Sequence, residues 1–146
     1  MDPRLELPPE PGSVALARRW ITRHASEVGG GGVDPALLDT LELLVSEVVT
    51  NAVVHADTTC TMTLMRCDDR LRIEVSDGSS ALPVHRSPPE LAEGGRGVGL
   101  VAMLSDDCGH HRRPDGGKTC WFEVCIPPIT LARSSVTPAK MGRMTQ

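Results

Sequence analysis

Residues 37–55 constrain this chain most, because one amphipathic helix there carries polar side chains beside its apolar stripe. Helical residues advance by about 100° each, so positions four apart drift only slowly around the axis. Leu41, Leu44, Val45, Val48 and Ala52 make the apolar stripe that such a helix buries. Asp39, Glu42, Ser46 and Thr50 make the face expected to meet solvent. Glu47, Asn51 and His55 belong to neither group and run along the edge of the stripe, with Leu44 among them. A carboxylate and an amide in that position cost free energy unless something pairs with them. A solvated border to the core is the plain reading of any one of them. A series at i, i+4 and i+8 favours a binding site, and a metal ion carrying a phosphate ligand would supply the missing partner.

With 146 residues, the chain is long enough for one domain with a real core. A formal charge of −4 leaves no basic footprint for nucleic acid. One Phe, two Trp and no Tyr also argue against a base-stacking surface. No apolar run approaches the roughly 18 residues of a membrane span, and the first residues lack the apolar core of a signal peptide. The expectation is a cytoplasmic protein with no direct nucleic-acid or membrane partner. Cys60, Cys67, Cys108, Cys120 and Cys125 form no CxxC pair, and those in strand-like runs read as small buried hydrophobes. A zinc site at Cys108, His110 and His111 lacks the second ligand pair that zinc needs.

Residues 4–7 alternate before Pro8, Pro9 and Pro11, as an edge strand ended by prolines does. Ser13 is the expected N-cap of a first helix reaching Glu27, with Val14, Leu16, Ala17, Trp20, Ile21 and His24 facing inward. Gly29 to Gly32 end it, and Asp34 caps the second helix with Pro35 at its first position. Residues 59–67 and 71–76 alternate as two strands joined by Asp68, Asp69 and Arg70. A long loop with Pro83, Pro88 and Pro89 covers 79–95, followed by a short apolar helix at 97–104. Residues 110–113 and 118–126 read as closing strands around Asp115, Gly116 and Gly117. From Pro127 onward, Ser, Thr, Pro and basic residues point to a disordered tail. The domain is therefore 1–126, with 127–146 as the tail. Strands segregated from helices suggest an α+β fold, a mixed and mostly antiparallel sheet with helices on one face.

Two further features carry chemistry. Ile73-Glu74-Val75-Ser76-Asp77-Gly78 is a strand ending in an acid and a glycine. Asp-Gly alone is an ordinary turn signal; at the end of a buried strand, Asp77 is also placed to accept a hydrogen bond from an exocyclic amine. Gly94-Gly95-Arg96-Gly97-Val98-Gly99-Leu100 runs directly into an apolar helix. Glycines let backbone N–H groups approach a phosphate, and a helix N-terminus favours its charge. Arg96 adds a cationic contact. A dinucleotide fingerprint would need a preceding strand and a βαβ unit, and a proline-rich loop stands there instead.

Taken in this order, the three features resemble the Bergerat ATP-binding fold shared by DNA gyrase B, sensor histidine kinases and MutL. Glu47 to His55 is similar to its N-box, Asp77-Gly78 to its first glycine box, and Gly95-Arg96-Gly97-Val98-Gly99-Leu100 to the GxGxGL of its second. Within that superfamily the chain looks most like the stand-alone anti-sigma-factor serine/threonine kinases, over roughly residues 5–126. The resemblance implies a two-layer α/β sandwich, ATP and Mg²⁺ as cofactors, and a lid at about 79–94. It implies Asn51 as metal ligand, Asp77 as adenine reader and Glu47 as general base. Gly78, Gly95, Arg96, Gly97, Val98, Gly99 and Leu100 would line the nucleotide, Thr119 would stand near the adenine pocket, and His55 would support the site. Lys118, beside Thr119, reads as a solvated edge lysine. Ser80 stands where the first box has a second glycine, and Pro83 points to a stiffer turn there. The function implied is an anti-sigma-factor kinase, a homodimer that binds a sigma factor and phosphorylates an anti-anti-sigma antagonist. The alternative is a nucleotide-responsive binding module without kinase activity.

Overall fold

The computed structural model describes residues 2–56, 58–79, 101 and 103–126. Its elements are β1 (Arg4–Leu7), α1 (Gly12–Gly29), α2 (Pro35–Asn51), β2 (Cys60–Cys67), β3 (Arg70–Asp77), β4 (Asp107–Arg112) and β5 (Lys118–Cys125). The strands form one sheet in the order β1-β2-β3-β5-β4. All four pairings are antiparallel, so the expected mixed sheet is wholly antiparallel among the described strands. α1 packs on the sheet and α2 packs on α1, giving the α+β sandwich that the segregated pattern implies.

The core follows strand alternation. Cys60, Met62 and Leu64 of β2, Leu71, Ile73 and Val75 of β3, and Phe122 and Val124 of β5 are buried in one cluster with the helices. Opposed residues of an antiparallel pair project to the same face, and the register sets Val75 opposite Met62 and Ile73 opposite Phe122. The β2–β3 turn uses Asp68 at φ 56°, a left-handed conformation that Asp accepts better than most residues.

α2 begins as its residues dictate. Asp34 is extended (φ −90°, ψ 172°), Pro35 follows, and the Asp34 carboxylate accepts the Leu37 N–H at 2.8 Å. That bond satisfies one of the orphan amides of the first turn. Leu41, Leu44, Val45, Val48 and Ala52 are all buried, and Val49 joins them. The face assigned to solvent holds at Asp39, which is exposed, and departs from expectation at Ser46 and Glu42. Ser46 is buried with the Arg18 guanidinium 3.4 Å from its hydroxyl, and Thr22 donates to the Glu42 carboxylate at 2.6 Å. α1 lies against this flank of α2, so Glu42 and Ser46 sit at a helix–helix seam.

α1 also departs from its expected cap. Pro11 occupies the N-cap without a side-chain bond, while Ser13 is buried and donates to the Pro8 carbonyl at 2.6 Å. The buried stripe is Ser13, Ala17, Ile21, Ala25 and Gly29, and Leu16, expected inside, is 38% exposed. A stripe of mostly small residues lets the helix lie close to its neighbours. A Cβ on Gly29 would stand 2.5 Å from the Val33 side chain, a separation that the packing at the helix end does not permit. From Gly30 to Gly32 the chain takes a 3₁₀ turn.

β4 begins three residues earlier than expected, and β3 extends one residue at each end. Residues 101, 103 and 104 are helical, in keeping with the helix expected at 97–104. The remainder of that helix, the loop from residue 80, the glycine run at 94–100 and the tail from 127 lie outside the described residues.

Candidate nucleotide site

Two chain ends meet at one end of the sheet. α2 stops at Asn51, and residues Ala52–Ala56 widen into a π turn, a departure from α geometry common at functional positions. The segment expected as one helix to residue 55 is therefore an α-helix followed by a wider turn. Glu47 and Asn51 lie one helical turn apart on α2, both part-exposed, and His55 falls within the π turn. The Ala52 N–H is shared between the Val48 and Val49 carbonyls, marking where the regular ladder gives way. The π turn packs against β3.

Just beyond it, the Thr58 hydroxyl accepts the Gly78 N–H at 3.0 Å. That bond ties the chain leaving the π turn to the Asp77-Gly78 corner, so the first two sequence features are brought to the same end of the sheet. Asp77 is 3% exposed, and its Oδ1 accepts the Ser79 N–H at 2.8 Å. The corner is thereby a side-chain-closed turn, as the Asp-Gly signal implies.

The residue beside Asp77 departs from its expected setting. Lys118 is 4% exposed, and its Nζ donates to Asp77 Oδ2 at 2.9 Å and Oδ1 at 3.2 Å. It is no solvated edge lysine. β5 lies between β3 and β4, and Lys118 stands directly opposite Asp77 in the register. Period-two alternation held the signal, since Lys118, Cys120, Phe122 and Val124 are in phase. Cys60 flanks Asp77 on the β2 side. Burial, followed by the Asp77 charge, pushes the Cys60 thiol up to about 11. The Cys120 thiol is also pushed up to about 11, chiefly by burial.

Thr119 is buried as well, but its hydroxyl lies 2.8 Å from that of Ser76. These two residues are opposed in register and occupy the face opposite Asp77 and Lys118. Thr119 therefore supports the strand pair from behind, and the structure does not bring its side chain to the Asp77 carboxylate. The Arg113 guanidinium donates to the Lys118 carbonyl at 3.2 Å. A Cβ at Gly117 would run into the Asp77 backbone carbonyl, so only glycine admits this close approach of β5 to the corner. A cavity of about 480 Å³ opens on the far sheet face, lined by Arg4, Glu6, Thr61, Thr63 and Glu74 among others. Among the described residues it meets the site only at Asp77 and Gly78, and none of α2 lines it.

Asn51 suits a hard cation. Its amide oxygen is a neutral oxygen ligand, and Mg²⁺ takes few protein ligands while keeping waters and phosphate oxygens. Gly95, Arg96, Gly97, Val98, Gly99 and Leu100 lie outside the described residues.

The fold is a sheet with helices on one face, with the Asn-bearing end of α2 and a buried aspartate at the terminus of β3. Residues 7–123 match the histidine kinase-like ATPase domain, and the chain belongs to that family. It is 30% identical over 120 residues to the serine-protein kinase RsbW of Listeria monocytogenes serotype 4a (strain HCC23), covering 70% of this chain and 74% of that protein. RsbW of Listeria innocua serovar 6a matches at 30% over the same coverage. RsbW of Listeria monocytogenes serovar 1/2a matches at 28%.

Proposed function

We propose that this chain is an ATP-dependent protein serine/threonine kinase that doubles as an anti-sigma factor. The observation that carries the reading is its 30% identity over 120 residues to proteins named as serine-protein kinases. The Thr58–Gly78 bond, which ties the chain following α2 to the Asp77 corner, agrees with it. In this reading Asp77 accepts the adenine amino group, and Asn51 holds Mg²⁺ through its amide oxygen. The bound cation neutralises charge on the phosphates.

Glu47, one turn before Asn51, accepts the proton of the substrate hydroxyl. That oxygen forms the new bond to the γ-phosphorus as the bond to the ADP oxygen breaks, and ADP leaves. Positioning and charge stabilisation supply most of the acceleration in such transfers. The glycine run at 95–99, with Arg96, Val98 and Leu100, lines the phosphates, and His55 braces the site. The protein partners are a sigma factor, held away from polymerase, and an anti-anti-sigma antagonist phosphorylated on Ser or Thr. The working assembly is a cytoplasmic homodimer.

The test is transfer of γ-³²P from ATP to a candidate antagonist by wild type and by Glu47→Ala. Transfer by wild type that the variant loses, with ATP affinity kept, is the expected result. No transfer by a wild type that binds ATP and changes its partner affinity would leave the nucleotide-responsive binding module.

A further inference from the structure

Among the described residues, the buried pair at the end of β3 leaves hydrogen-bonding capacity unused. An ammonium has three N–H donors and a carboxylate about four acceptor positions. Among the described residues, Lys118 Nζ donates only to the two oxygens of Asp77. Among the same described residues Asp77 Oδ2 accepts only from Lys118, while Oδ1 also takes the Ser79 N–H. The side chains are 5% and 2% exposed, so water has little access to the spare donor and the spare acceptor. Buried hydrogen-bonding capacity left unfilled is costly, and here a donor and an acceptor lie side by side, fixed by the β3–β5 register.

That arrangement matches the edge of one base. Adenine presents an amino donor at C6 and a ring acceptor at N1 on adjacent atoms. The geometry points to Lys118 as a second base-reading residue, donating to adenine N1 while Asp77 accepts the amino hydrogen. The inference rests on the nucleotide reading above and assigns its base specificity. Guanine held in the same pose sets a carbonyl against the carboxylate and an N–H against the ammonium, two repulsive contacts. Lys118 thus selects adenine by attraction and rejects guanine by repulsion, the two routes to discrimination. Cys60, on the other side of Asp77, offers no comparable donor, since its thiol is a weak one in a buried setting.

The experiment compares equilibrium binding of ATP, GTP and 1-deaza-ATP, in which the N1 acceptor is replaced by C–H, to wild type and to Lys118→Met. Wild type should bind 1-deaza-ATP about tenfold more weakly than ATP, the worth of one buried hydrogen bond to a charged donor, and GTP more weakly still. Lys118→Met should bind ATP and 1-deaza-ATP alike. Should Lys118→Met fail to fold, Lys118→Thr serves, because its hydroxyl is too short to reach the base. Equal affinity of wild type for ATP and 1-deaza-ATP overturns the role of Lys118 and leaves the nucleotide site standing. Discrimination that survives removal of the lysine overturns it too. No binding of any of the three by wild type overturns the nucleotide site itself, and the inference with it.

Discussion

Removing Asp77 alone should be among the most damaging single changes in this chain. Asp77→Ala deletes the acceptor of two Lys118 bonds, at 2.9 and 3.2 Å, and of the Ser79 amide at 2.8 Å. It leaves an ammonium at 5% side-chain exposure without the carboxylate that pairs it. Breaking a buried pair from one side costs about 3–5 kcal/mol, a large part of the 5–15 kcal/mol that holds a typical domain. With a urea slope of about 2 kcal/mol/M, the unfolding midpoint should fall by roughly 2 M. Replacing both partners by apolar residues removes the desolvation cost along with the attraction. Asp77→Leu combined with Lys118→Met should therefore unfold close to the wild-type midpoint or above it. Urea titration followed by circular dichroism measures all of these without any nucleotide. A midpoint drop below about 0.5 M for Asp77→Ala, or a double variant no better than the worse single one, would refute the account of the pair.

Two other perturbations test the frame around the site. Gly117→Ala should lower stability by about 1–3 kcal/mol, an overpacking cost, because the new methyl collides with the Asp77 carbonyl and crowds Arg113. Gly12→Ala, which meets nothing within 4 Å, should leave the melting temperature unchanged or raise it. On the far face, hydrogen bonds from Arg72, and then Arg70, hold the Glu123 carboxyl below the usual carboxylate range, although burial opposes them. A depressed carboxylate stabilises the fold above its unfolded value of about 4.3 and loses that contribution as pH falls below it. Wild type should exceed Glu123→Gln in stability at pH 7, and the gap should close between about pH 5 and pH 2 in acid titrations of the unfolding midpoint.

Much of the fold is legible because local chemistry and packing agree. Asp34-Pro35 starts α2 where capping chemistry says it should, and its apolar stripe is buried as the 3.6-residue period requires. The β2–β3 strands emerge from alternation, and their turn from two successive aspartates. What fails is what depends on neighbours distant in sequence. Glu42 and Ser46 look solvent-facing until α1 lies against them. Ser13 resembles a cap until the Pro8 carbonyl takes its hydroxyl. The α-to-π change after Asn51 leaves no mark in hydrophobic periodicity, since Ala52 and Val53 remain buried through it.

At the site the pattern is similar. The Asp77-Gly78 corner and the α2 end are readable as separate motifs, and it takes the Thr58–Gly78 bond and the π turn packed on β3 to show that they adjoin. Lys118 is misread because lysine belongs on surfaces by type, although its strand phase sets it with Phe122 and Val124. The same phase carries Thr119 to the other face, where Ser76 meets it.

The proposed function requires that Mg²⁺ and ATP bind together through Asn51. Thermal unfolding of wild type and Asn51→Ala, each with ATP in the presence and absence of Mg²⁺, tests it most directly. ATP at about 100 times its dissociation constant stabilises the native state by about 2.7 kcal/mol, on the order of 10 °C for a domain of this size. The account predicts that shift for wild type only when Mg²⁺ is present, and its loss in Asn51→Ala. An unmoved wild-type transition at millimolar Mg²⁺-ATP, or a shift that Asn51→Ala retains in full, would contradict it.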